Sequence, residues 1–151
     1  MILVDTNIPL RIAQAGHAHR QIALDALELL TLRDQEQFAI APQSLYEMYV
    51  VCTRPATVNG VGMTPEQALA ELAAARALFQ NLPDTPQIYS TWEGLMGKYK
   101  VQGKRAHDLR LAAFMIEHRI PTILTFNDAD FRTVSEIDAL NPFDILGVPR
   151  T

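Results

Sequence analysis

At 151 residues, with 48% hydrophobic content and a net charge of −4, the chain has the size of one ordinary domain and enough apolar material for a core. Its single cysteine, Cys52, excludes an internal disulfide and a thiolate metal cage, and its longest apolar run, Leu111 to Ile116, is far too short to span a bilayer. With no secretory signal pattern at the N-terminus, the expectation is one soluble cytoplasmic domain over residues 1–151 with no membrane partner; an acidic balance also means that any nucleic acid must be held by a local basic patch.

Met1 to Val4 reads as a short buried strand that ends on a carboxylate, Asp5. Pro9 suits the opening of a short helix, and His19 to Leu32 carries apolar residues at helical spacing. Phe38 to Ala41 is a second strand. Pro42 opens the next helix, along which Leu45, Met48, Tyr49 and Cys52 fall at i, i+3, i+4 and i+7 until Arg54-Pro55 ends it. Ala56 to Met63, with Asn59-Gly60 and Gly62, is a loop. Thr64-Pro65-Glu66-Gln67 is a capping box leading into an alanine-rich helix to Phe79. After Pro83 and Pro86, Ile88-Tyr89 reads as a strand, and Ser90-Thr91-Trp92-Glu93 repeats the capping pattern for a helix to Tyr99. Gly103-Lys104-Arg105 is a basic turn, Ala106 to His118 a helix apolar on most sides, Pro121 to Leu124 the last clear strand, and Thr125 to Phe131 a polar connection. Strands alternating with helices predict an α/β chain with a parallel sheet covered on both faces.

Carboxylates stand at four places where such a fold brings strand and helix ends together: Asp5, Glu47, Asp108, and Asp128 with Asp130. Each has a plain structural role open to it. Asp5 can make a turn or a cap, Glu47 can close a capping box with Ser44, Asp108 in a first helical turn is favoured by the backbone dipole, and Asp128 and Asp130 are good turn formers. Taken together they pose a sharper problem, because clustered half-buried carboxylates repel one another and take up protons unless a cation holds them ionised. An all-oxygen set without cysteine or a histidine cluster selects a hard cation, Mg²⁺ or Mn²⁺ over Zn²⁺, and such a site serves metal-assisted phosphodiester hydrolysis. Neither Gly-rich phosphate motif occurs to compete with this reading. His17 and His19 are expected at the surface, and Trp92 alone establishes no stacking platform for bases. Basic residues available to a phosphate backbone include Arg54, Lys98, Lys100, Lys104, Arg105 and Arg110, with His107 suited to substrate contact.

The stretches "ILVDTN", "SLYEMYVVCTRP", "GKRAHDLRLAAFM" and "TILTFNDADF" follow one another as they do in PIN-domain proteins, and from Ile2 to about Phe131 the chain resembles a PIN-domain ribonuclease of the VapC toxin type. The resemblance implies a three-layer α/β/α sandwich around a central, mainly parallel sheet. It further implies a Mg²⁺- or Mn²⁺-dependent endoribonuclease, a homodimer, and a cognate antitoxin whose C-terminal segment fills the active-site groove. By motif, Asp5, Glu47 and Asp108 match the first three family acids. The fourth falls to Asp130, with Asp128 as the alternate and Asn127 as a neutral ligand or support within Thr125-Phe126-Asn127. Thr6, Asn7 and Thr125 are supporting residues, and Arg54, Lys104, Arg105 and His107 are expected to contact the RNA. Two rivals remain. One is a PIN-fold protein- or RNA-binding module of weak activity, to which the amide at Asn127 lends weight. The other is a phosphatase or phosphotransfer domain, which lacks its usual Asp-x-Asp because Asp5-Thr6-Asn7 ends in an amide.

Overall fold

A computed structural model describes residues 1–151. In chain order the elements are β1 (Ile2–Val4), α1 (Asn7–Ala13), α2 (His19–Asp34), β2 (Phe38–Ile40), α3 (Pro42–Thr53), α4 (Pro65–Leu78), β3 (Gln80–Asn81), α5 (Gln87–Tyr99), α6 (Arg105–Glu117), β4 (Thr122–Leu124), β5 (Asp138–Leu140) and α7 (Pro142–Leu146). Single turns of 3₁₀ helix lie at Ala56–Val58 and Asp128–Asp130.

All five strands are parallel, in the order β3-β2-β1-β4-β5. The chain builds outward from β1 to β3 and then crosses back to lay β4 on the other side of β1. The order therefore reverses between β1 and β4, and a crevice outside the carboxyl ends of those two strands is where open α/β sheets bind ligands. Register fixes which residues reach that crevice: Val4 pairs with Leu124, so Asp5 and Thr125 leave the sheet side by side.

The alternation of side chains along each strand divides the core into two layers. Leu3, Ala39 and Ile123 point to one face, where α5 and α6 cover them with Leu95, Leu109, Ala112, Ala113 and Phe114. Ile2, Val4, Ile40 and Leu124 point to the other, where α1 to α4 bring Ile8, Leu27, Met48 and Ala68. The three-layer α/β/α arrangement follows. Helix α6 is fully buried at Leu109 and from Leu111 to Met115, which explains a helix apolar nearly all round.

Four expectations need correction. Ile88 and Tyr89 are not a strand but the first turn of α5, because Ile88, Trp92 and Leu95 recur at helical spacing and the buried face of the helix needs all three. The Ser90 capping box accordingly does not form; the Ser90 hydroxyl donates to the Gln87 carbonyl one turn back, inside the helix. The third correction concerns the sheet edges: β3 is two exposed residues and β5 begins with an exposed aspartate, so neither carries an apolar run, and the strand ending at Leu124 is not the last. Helix α1 also starts at Asn7, two residues before Pro9. Elsewhere the boundaries fall where propensity places them. Thr64 accepts from the Gln67 amide at 3.2 Å and the Gln67 side chain accepts from the Thr64 amide at 2.9 Å, closing the capping box.

The loop after α3 doubles back along the helix end, its Val61, Gly62 and Met63 amides donating to the carbonyls of Val51, Arg54 and Cys52. Gly60 is required there, since a Cβ would collide with the Arg54 backbone carbonyl. Gly60→Ala is expected to cost roughly 1–3 kcal/mol of stability, read as a lower denaturant midpoint with an unchanged slope.

Candidate active site

Asp5 is buried, at 8% exposure, and every donor around it is supplied by the ends of β1 and β4. One carboxylate oxygen accepts the Thr6 amide at 2.7 Å; the other accepts the Thr125 hydroxyl at 2.6 Å and the Asn7 Nδ2 at 2.7 Å. Asn7 also donates to Thr125 Oγ1 and accepts the Phe126 amide, and Thr125 Oγ1 accepts the Asn127 amide, so the two strand ends are laced into one polar knot. Even so, burial pushes the Asp5 carboxyl up to about 6, with the Thr125 and Thr6 hydrogen bonds pulling it down and the charges of Glu47 and Asp108 adding to the rise.

Glu47 sits in the second turn of α3, held by the Thr6 hydroxyl at 2.8 Å on one oxygen and by Gln43 Nε2 at 2.9 Å on the other. Asp108 lies in the first turn of α6 and is half-buried. Its carboxyl is also pushed up to about 6, first by burial and then by the charge of Asp130, with Glu47 adding less; Arg105 and Lys104 oppose the rise. Asp5, Glu47, Asp108 and Asp130 thus sense one another across the crevice. A cleft of about 530 Å³ opens onto Thr6, Glu47, Arg54, Lys104, His107, Asp108, Asn127 and Asp130, with Asp5 buried behind Thr6.

The arrangement differs from the expectation in two respects. No three of the chain's His, Cys, Asp and Glu side chains are gathered tightly enough to form a ready metal-ligand group: the acids face one cleft without a common coordination sphere. Both oxygens of Glu47 are engaged by Thr6 and Gln43, and like charges favour separation. In kind, however, the donor set of carboxylate oxygens with an adjacent amide, Asn127, suits a hard divalent cation.

The second difference is Asp128. It is buried rather than an exposed turn former, and it does not line the cleft. Its carboxylate accepts from Asn141 Nδ2 at 2.8 Å and pairs with Arg132 at 2.6 Å and Arg150 at 3.0 Å. Burial opposes its ionisation, but the Asn141 and Arg150 hydrogen bonds and the Arg132 charge hold its carboxyl below the usual range. It anchors the C-terminus beneath the Asn127–Asp130 turn, which leaves Asp130 as the acid of that turn facing the cleft. Among the basic residues, Arg54 and Lys104 line the cleft with His107. Arg105 is committed to structure, donating to the Asp130 carbonyl at 2.8 Å and to Thr133, and Lys98 pairs with Glu136 on the far surface. Gln43 had no place among the candidates. Buried at 6% exposure, it donates to Glu47 and to the His107 carbonyl and accepts from Arg110 at 3.0 Å, joining α3 to α6. The available signal was its position one helical turn before Glu47.

The PIN domain family model matches residues 2–137 of the chain. The chain belongs to the PIN-domain family. Its fold is shared with a chain of VapBC2 from Rickettsia felis bound to a DNA fragment from its promoter, at 19% identity and TM-score 0.69 over 93% of this chain and 98% of that one. A toxin-antitoxin complex from Klebsiella pneumoniae matches at 22% identity and TM-score 0.64, over 94% of this chain and 98% of that one. VapC20 of Mycobacterium tuberculosis, a toxin that cleaves the sarcin-ricin loop, matches at 19% identity and TM-score 0.64, over 89% and 95%. Comparison with curated proteins gives no match. No helix of this PIN domain is long and apolar enough to cross a membrane.

Because the folded state binds protons at Asp108 more tightly than the unfolded chain, whose carboxyl sits near 3.8, this group lowers stability as pH rises from about 4 to about 6. Asp108→Asn is therefore expected to stabilise the protein by roughly 1–2 kcal/mol at pH 7.5 in chelating buffer, after allowance for partial solvent screening. The gain should disappear below pH 4; denaturant unfolding at the two pH values measures it.

Proposed function

We propose that this PIN domain is a divalent-metal-dependent endoribonuclease, the toxin of a toxin-antitoxin pair. The observation that carries the reading is that Glu47, Asp108 and Asp130 line one cleft together with Arg54 and Lys104, while Asp5, buried at the switch point of the sheet, is close enough to feel the charges of Glu47 and Asp108. A cluster of acids costs stability and binds no anion by itself, so its presence beside cations suited to phosphate supports metal-assisted work on a phosphodiester.

Asp5, Glu47, Asp108 and Asp130 would hold Mg²⁺ or Mn²⁺, which when bound supplies charge neutralisation at the phosphate and acidifies water. Thr6, Asn7 and Thr125 fix the direction of the Asp5 and Glu47 oxygens, so that the acids need little reordering. Arg54 and Lys104 draw the RNA backbone to an otherwise acidic protein. His107 contacts substrate at the rim.

Support for the toxin reading comes from the neighbours: the Klebsiella pneumoniae structure is a toxin-antitoxin complex, and VapC20 is a toxin that cleaves the sarcin-ricin loop. An antitoxin segment over the cleft and a homodimer in the cytoplasm are part of the proposal. The rival, a PIN-fold binding module, is favoured by two observations: the cleft has an amide, Asn127, at the Thr-x-Asp position of the family motif, and no three acids stand ready as a ligand set.

Purified protein with Mg²⁺ or Mn²⁺ is expected to cleave structured RNA, and Asp5→Asn to reduce the rate at least 100-fold, as does chelation. Expression should arrest growth, and Asp108→Ala should relieve the arrest. Harmless expression with RNA binding but no cleavage in either metal makes the chain a binding module instead.

A further inference from the structure

We propose that the cavity between α5 and α6, next to the acidic cleft, seats an unpaired nucleobase of the RNA substrate; the proposal rests on the nuclease reading and gives that site a second, base-binding half. The cavity is about 460 Å³, within the range that encloses small organic groups. Tyr89 and Trp92 form its aromatic wall, with ring centroids 5.7 Å apart and planes tilted by 43°. Trp92 is locked in place because its indole N–H donates to the Ala106 carbonyl at 2.8 Å, whereas Tyr89 is 66% exposed and free to present a face.

Three features favour a base over a phosphate or an apolar side chain. His107 lines both this cavity and the acidic cleft, so a nucleotide whose phosphate lies among the acids has its neighbouring base within the adjoining space. The one full cation on the wall, Arg110, is already neutralised by Asp84 at 3.1 Å and fixed by Gln43 at 3.0 Å, so the cavity offers planar polar edges without free charge. The unpaired cations, Arg54 and Lys104, line the cleft instead. Thr85 also lines the cavity while its hydroxyl oxygen is buried without a hydrogen-bond partner, so a χ1 rotation that turns the oxygen to a ring nitrogen or exocyclic amine gains a bond that a methyl group does not offer. Aromatic faces with hydrogen-bonding edges are how proteins hold splayed bases of single-stranded RNA.

Trp92 is the only tryptophan of the chain, so its fluorescence reports on this cavity alone. The probe is a six-nucleotide single-stranded RNA, titrated into full-length Asp108→Asn protein, and the control is the same ribose-phosphate chain with its bases removed. The base-bearing oligonucleotide is expected to quench Trp92 and bind roughly tenfold or more tightly than the abasic chain, with Tyr89→Ala removing that advantage and Tyr89→Phe retaining it. Equal affinity for both chains, or Tyr89→Ala binding like its parent, overturns the proposal while wild-type cleavage of RNA keeps the nuclease reading. Absence of both binding and cleavage overturns the two together. A change in sedimentation mass on Tyr89→Ala, with RNA affinity unaltered, assigns the wall to a protein contact and likewise overturns the base site.

Discussion

The knot that Asp5, Asn7 and Thr125 tie between the ends of β1 and β4 is the constraint on which this PIN domain's candidate chemistry depends. Parallel strands end without a hairpin to hold them together, and the reversal of strand order at this pair leaves their carboxyl ends open to solvent. Asp5 and Thr125 enter the gap because Val4 and Leu124 are paired in register, and Asn7 closes it from the first turn of α1. A register slip of one residue would exchange the side chains of the two apolar layers and carry Asp5 off the Thr125 hydroxyl, so the pairing that fills both layers also places the acid.

Holding four acids around this knot costs stability. Burial and mutual repulsion push Asp5 and Asp108 up to about 6 against three good hydrogen bonds on Asp5 and two nearby cations for Asp108. By contrast Asp128, in the same turn as Asp130, is held ionised by Arg132 and Arg150 and contributes to the fold. Two aspartates two residues apart therefore differ in kind: one is matched to cations inside the protein and the other is left for something outside it. Unmatched acids gathered in a cleft are the ordinary mark of a functional site, because a structural site would have been relieved of its repulsion.

Much of this was legible in the residues. Short apolar strands ending on polar residues, Pro42 at a helix start, the Thr64 capping box and the apolar α6 each follow from local chemistry, and they suffice for the parallel α/β plan and for the acids that converge. What was not legible depends on tertiary partners. The edge strands β3 and β5 are polar and short, and are strands only because β2 and β4 offer them hydrogen bonds. Ile88 and Tyr89 have strand propensity, yet α6 requires a helical face there. Asp128 looked like a turn former because its counter-ions are Arg132, one helical turn away, and Arg150, at the far C-terminus. Gln43 was missed for a similar reason: apart from Glu47, one turn on, its partners lie 64 and 67 residues further along the chain.

That same glutamine links the two halves of the site. Gln43 donates to Glu47 on the cleft side, to the backbone of His107 on the wall common to both spaces, and accepts from Arg110 on the cavity side, whose second partner is Asp84. A buried amide with all these contacts fixes α3 against α6 at the point where each helix contributes an acid, Glu47 and Asp108 respectively. Displacing it would move the acids relative to one another and would take one of its two partners from Arg110, leaving the guanidinium held by Asp84 alone. The neutral aromatic cavity with Tyr89 and Trp92 thus owes its charge balance to the Arg110–Asp84 pair, and its position beside the charged cleft to Gln43, an amide that donates to a carboxylate and accepts from a guanidinium at once.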